Sequence, residues 1–130
     1  MMPADYLCHK EHLWAKPLGE NVVLVGVTHY AQNNLGEVVY VECPKAGTEI
    51  RQDIAFGIVE SVKIVSDLIS PVSGTVLEVN EQLTTDPCCI NRDPYGEGWL
   101  LKVQLPDNGG LGGLMSATDY KKYTSGSDDA

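Results

Sequence analysis

Aromatic side chains are scarce in this chain of 130 residues, which has one Phe, two Trp and six Tyr. Apolar bulk must come largely from aliphatic side chains, and the supply of Val and Ile leans toward β structure. Basic residues are scarce too. Nine Lys and Arg stand against eighteen Asp and Glu, a net charge of −9. That balance excludes a nucleic-acid binder, which needs cations to neutralise phosphates. It suits a soluble protein steered toward basic patches on its partners. No apolar run approaches the length of a membrane span. Residues 1–11 contain neither a basic n-region nor an apolar h-region, so the expected location is the cytoplasm, without a membrane partner. The four cysteines (Cys8, Cys43, Cys88, Cys89) form no C-x-x-C, and the three histidines (His9, His12, His29) are not spaced with them as zinc ligands. A disulfide framework is not expected without a secretory signal.

What is present is a series of short strand-like runs separated by turn chemistry. Residues 1–12 read as a loosely ordered lead-in. Residues 13–16 and 21–26 read as strands joined by Pro17-Leu18-Gly19-Glu20. Thr28 is placed to cap a short helix over 29–35, closed by Gly36. Residues 37–43 alternate, with Val39 and Val41 on one face and Val38, Tyr40 and Glu42 on the other. Further strands are expected over 54–62, 64–69, 74–80 and 99–105. An irregular or short helical stretch is expected over 83–90, and a break at Asp107-Asn108-Gly109-Gly110. Residues 111–123 can hold one or two short helices, with Ser116 as N-cap and Asp119 three positions on. This pattern predicts an all-β sandwich or partly closed barrel with peripheral helices. One domain over 1–124 and a disordered tail over 125–130 complete the expectation.

The most informative segment runs from Phe56 to Gly74. Lys63 stands midway between two apolar, strand-like runs, and Pro71-Val72-Ser73-Gly74 leads into a third. A lone lysine at a hairpin tip is rigidly presented while its four-carbon stem stays mobile, as a covalent arm requires. Val62 and Ile64 flank it with stiff β-branched side chains that should hold the tip. A biotinyl site is disfavoured, because such sites place Met on both sides of the lysine.

This segment resembles the lipoyl-attachment segment of the glycine cleavage H-protein family. The resemblance extends over residues 6–123. It includes Gly26-Val27-Thr28, Tyr30-Ala31-Gln32, Leu35-Gly36-Glu37-Val38-Val39, Glu78-Val79-Asn80, Ile90-Asn91 and Pro94-Tyr95-Gly96-Glu97-Gly98-Trp99-Leu100. It implies a barrel-sandwich hybrid of two antiparallel sheets with short peripheral helices, and lipoate covalently attached to Lys63. It implies that Glu60, Ser61, Val62, Ile64 and Asp67 serve recognition of the attachment site, and that His12, Leu13 and Asp67 lie where the arm docks. The implied protein is a non-catalytic carrier whose arm cycles between disulfide and dithiol. Its implied partners are a lipoate ligase or lipoyl transferase, dihydrolipoamide dehydrogenase, and the enzymes that load and unload the arm. An enzyme acting alone would have to rely on Cys88, Cys89 or His12, with no activating group in view.

Two positions depart from the family pattern. Family members usually read His-Glu-Trp where this chain has His12-Leu13-Trp14, so the carboxylate that would meet a cationic aminomethyl cargo becomes Leu13. Glu11 precedes the histidine, but neighbouring side chains diverge, and no replacement is expected from it. His29 stands where the family commonly has Asp. These departures lean the reading toward a lipoate-binding protein of cytoplasmic sulfur oxidation, working with a heterodisulfide-reductase-like complex. The alternative is a glycine cleavage carrier working between the glycine decarboxylase and the aminomethyltransferase. A relay of lipoate to other dehydrogenases is a third reading.

Overall fold

The computed structural model describes residues 5–106 and 111–128. The strands are Leu7–Cys8 (β1), Leu13–Gly19 (β2), Val22–Val27 (β3), Val38–Glu42 (β4), Glu49–Ile50 (β5), Ala55–Ser61 (β6), Val65–Ile69 (β7), Gly74–Val79 (β8), Leu101–Gln104 (β9) and Met115–Ser116 (β10). The helices are His29–Leu35 (α1), Gln82–Thr85 (α2), Cys89–Arg92 (α3) and Ala117–Asp128 (α4). Seven strands form one sheet in the order β10-β1-β2-β3-β9-β8-β5, and three form a second, β4-β6-β7. All pairings are antiparallel. The two sheets contribute to one apolar core, with Ala15, Val25 and Val103 from the larger and Val38, Val59 and Leu68 from the smaller. Two-sided burial of β-branched residues is what the composition called for.

A second cluster gathers Tyr6, Cys8, Trp14 and Tyr120. Trp14 is fully buried. Its indole N–H donates to the carbonyls of Val27 (2.8 Å) and Pro94 (3.0 Å). This cluster corrects the loosely ordered lead-in: β1 lies between β2 and β10, and Tyr6, Cys8 and His9 are all buried.

The helix over 29–35 forms as expected. Thr28 Oγ1 accepts from the Ala31 N–H, and Gly36 closes it at φ 81°, its N–H donating to the Gln32 carbonyl. The Asp119 N–H likewise donates to Ser116 Oγ at the start of α4 (3.1 Å). Helix α4 runs to Asp128, into the segment expected to be a disordered tail. Residues 129–130 and the break expected at 107–110 lie outside the described residues.

Two strand boundaries differ from expectation, each for a local reason. Strand β2 continues through Pro17 to Gly19, and the turn is Glu20-Asn21, both at positive φ (55° and 63°). That is the backbone a two-residue hairpin loop matched to strand twist requires. Proline is tolerated inside β2 because β1 covers only Trp14 and Ala15, leaving Pro17 paired on one side. In β4 the register shifts between Val38 and Tyr40. The bulge breaks the expected alternation, so Val38 is buried while Val39 and Tyr40 are both exposed.

Gly57 lies on β6 at the other end of this pairing, next to Ile58, the partner of Glu42. A Cβ there would lie 2.1 Å from the Glu42 carbonyl oxygen, so β4 and β6 can approach this closely only with glycine at that point.

Candidate carrier site

Strands β6 and β7 pair up to Glu60 and Val65, leaving a tip of four residues from Ser61 to Ile64. Ser61 holds this tip. Its Oγ accepts from the backbone N–H groups of Lys63 and Ile64, both at 3.1 Å, and its own N–H donates to the Ile64 carbonyl (2.8 Å). The Val62 N–H donates to the Glu37 carbonyl at 3.0 Å, which ties the tip to the chain entering β4. The side chains of Val62 (66 % exposed) and Ile64 (48 %) point outward. They offer apolar contact to a partner, and the hydroxyl of Ser61 does the holding that they were expected to do.

Lys63 is exposed, and none of the ion pairs among the described residues includes it. Its stem passes over Gly36: a Cβ at Gly36 would sit 3.0 Å from Lys63 Cε. Asn91, on α3, secures the chain below. Its amide nitrogen donates to the Gly36 carbonyl (2.7 Å) and to Gln32 Oε1 (3.0 Å), and its Oδ1 accepts from the Val38 N–H (2.9 Å). Residue reading placed Asn91 in a matched segment without assigning it this work. These three contacts are more than fifty residues away in the chain.

A cleft of about 220 Å³ opens beside the tip, lined by Ile64, Ser66 and Asp67 together with Glu11, His12 and Leu13. The three docking candidates, His12, Leu13 and Asp67, are thus brought together. Glu60 is not among the lining residues. It lies on the row that runs from Tyr40 through Glu60 to Val65. Glu11 does line the cleft, against expectation. The cause is the left-handed backbone at His12 (φ 73°), which folds the chain back after Glu11. Leu13, only 3 % exposed, closes the cleft against the core. His29 is not part of it; its Nδ1 pairs with Gln32 Nε2 on α1.

His12 is held on several sides. Its ring lies 4.6 Å from that of Tyr30, and its Nδ1 is 2.7 Å from the Tyr120 hydroxyl. That hydroxyl is 2.8 Å from Thr28 Oγ1, which already accepts from the Ala31 N–H. Full satisfaction of this chain has Thr28 donating to Tyr120 and Tyr120 donating to His12 Nδ1, which leaves the ring proton on Nε2. Burial lowers the His12 pKa, so the ring is neutral at neutral pH.

Three of the four cysteines are held as thiols. Burial pushes Cys8 and Cys43 up to about 12, and Cys89 is raised for the same reason. Cys88 donates to Asn91 Oδ1 at 3.5 Å. Among the described residues no group of three His, Cys, Asp or Glu side chains is placed to hold a metal. No helix among them is long and apolar enough to cross a membrane.

A β sandwich that pins one lysine at an exposed hairpin tip has the form of a carrier domain. The model of the family described as glycine cleavage H-protein matches residues 6–127, and the chain belongs to that family. Its proteins are non-catalytic carriers with lipoate attached to a lysine. The chain is 50 % identical over 123 residues to the glycine cleavage system H protein of Symbiobacterium thermophilum, covering 95 % of each chain. It is 45 % identical over 122 residues to that of Carboxydothermus hydrogenoformans, covering 94 % of this chain and 93 % of the relative. A crystal structure of a glycine cleavage system H protein from Mycobacterium marinum superposes with a TM-score of 0.87 at 37 % identity, covering 95 % of this chain and 99 % of that one. Nothing in these relatives supports the lean toward sulfur oxidation.

Proposed function

We propose that Lys63 carries the lipoyl group and that the chain works in glycine cleavage, taking the aminomethyl group from the glycine decarboxylase to the aminomethyltransferase. The observation that carries this reading is the lysine itself, exposed and unpaired on a tip whose backbone is pinned by Ser61. Lipoate bound there supplies a dithiolane that opens to a dithiol and closes again. The chain's own residues hold the tip, and the tether keeps the arm at millimolar effective concentration near a docked enzyme. The names of the relatives support glycine cleavage over sulfur oxidation. Glu60, Ser61, Val62, Ile64 and Asp67 form the surface that a lipoate ligase or transferase would recognise. Dihydrolipoamide dehydrogenase would reoxidise the arm.

The test is glycine-dependent bicarbonate exchange with a competent glycine decarboxylase, together with the intact and peptide mass of the protein from its host. The expected results are a lipoyl increment on Lys63, exchange with the lipoylated protein, and loss of both in Lys63→Arg. Exchange that survives Lys63→Arg, or an unmodified Lys63 in cells with active lipoylation, would remove the reading.

A further inference from the structure

We propose that Gly36 is the seat of the unmodified Lys63 side chain, and that acylation, by removing the lysine's charge, empties the seat and frees the arm. This rests on the reading of Lys63 as the attachment site. Gly36 is a positioning residue in this role, acting through where it lets the lysine stem lie. The stem crosses it with three successive atoms. A Cβ at Gly36 would be 3.0 Å from Lys63 Cε, 3.7 Å from Nζ and 3.8 Å from Cδ. Glycine leaves that space open, and any other side chain would push the stem away. The Val62 N–H donates to the Glu37 carbonyl at 3.0 Å, so the backbone beside Lys63 is fastened to the residue beside Gly36.

Gly36 also ends α1. The last carbonyls of a helix carry its negative end and attract a cation. Helix α1 has no basic residue in its own last turn. Lys63 brings an ammonium there from the hairpin, and no ion pair among the described residues draws it elsewhere. Acylation ends the attraction. In transfer from an acyl adenylate, the bond from Nζ to the lipoyl carbonyl carbon forms, and the bond from that carbon to the phosphate oxygen breaks. The ammonium gives up two protons to solvent, AMP leaves, and the product is a neutral amide. What remains at Gly36 is apolar contact by a few stem atoms, which does not outweigh the rotamer freedom of a four-carbon chain.

The experiment follows the full chain by NMR when unmodified, when Nζ-methylated at Lys63, when Nζ-acetylated at Lys63, and when lipoylated by a purified ligase. Methylation keeps the charge and acetylation removes it. The readouts are the NOE between Lys63 Hε and Gly36 Hα, and the ¹³Cε relaxation of Lys63 against that of exposed Lys45. The unmodified and methylated forms should show the NOE, with a Cε more ordered than that of Lys45. Acetylation and lipoylation should each lower the NOE about threefold, the scale of one charge at a helix end, and bring the relaxation to the Lys45 level. A Lys63 as mobile as Lys45 before modification, or an NOE undiminished by acetylation, overturns the proposal. A methylated form that loses the NOE assigns the loss to bulk rather than charge, and overturns it too. No residue is substituted, so misfolding cannot imitate these results. Failure of the ligase to modify Lys63 removes the attachment reading, while the acetylated form still decides whether charge holds the lysine at Gly36.

Discussion

The amide nitrogen of Asn91 donates a 2.7 Å hydrogen bond to the carbonyl of Gly36, the residue over which the Lys63 stem lies. Asn91 also holds Gln32 Oε1 and the N–H of buried Val38. One side chain on a one-turn helix thus joins the end of α1, the start of β4 and the floor under the lysine.

Asn91→Ala should therefore destabilise the protein by about 2 kcal/mol, because it leaves the Val38 N–H and the Gly36 carbonyl without these partners. Urea unfolding measures this as a lower midpoint at unchanged slope. A midpoint equal to that of the wild type would show that water replaces the amide at no cost.

Ser61→Ala tests the tip itself. It removes the acceptor for the Lys63 and Ile64 N–H groups while leaving the β6–β7 pairing in place. The expected outcome is a loss of stability of about 1 kcal/mol and a lysine held less rigidly. Its signature is slower lipoylation by a purified ligase, read as kcat/KM, with Lys63 amide exchange faster than in the wild type. Unchanged kcat/KM would show that the ligase imposes the tip geometry by itself.

Much of this was legible in the residues because it is local. The caps at Thr28 and Ser116 use side chains, and that at Gly36 its backbone N–H, within three or four positions of the groups they serve, and the lysine tip lies between two apolar, strand-like runs. The parts not foreseen depend on distant contacts. β1, β5 and β10 have two residues each, too few to show a period. The bulge at Val38/Tyr40 breaks a real alternation in mid-strand. Glu11 reaches the cleft through a left-handed turn at His12. That turn depends on His9 meeting Asp53, 44 positions along the chain.

Gly57→Ala should be among the costliest single-methyl additions in the fold. The new Cβ would meet the Glu42 carbonyl at 2.1 Å, and a strand backbone cannot rotate aside as a side chain can. A loss of about 3 kcal/mol is expected, the upper part of the usual range for overpacking. The damage should concentrate in β4 and β6, with faster amide exchange there than in β2 and β3. A stability change under about 0.5 kcal/mol, ordinary for a surface site, would mean that the strands separate freely.

His12 gives the protein a pH dependence whose sign follows from its surroundings. Burial lowers its folded pKa below the ordinary 6.5; Glu11 works against this shift and His9 adds to it. The unfolded chain therefore binds this proton first as pH falls, and stability decreases from about pH 6.5 downward through the folded pKa. Well above pH 6.5 the ring is neutral in both states and adds no slope. Protonation of Nδ1 would also remove the acceptor for the Tyr120 hydroxyl, unsettling the packing of α4 on β1 and β2. His12→Asn, which cannot take up the proton, should lose less stability between pH 7.5 and 5.5 than the wild type, measured by urea unfolding at both values. Equal losses in the two proteins would leave His12 without a part in the acid sensitivity.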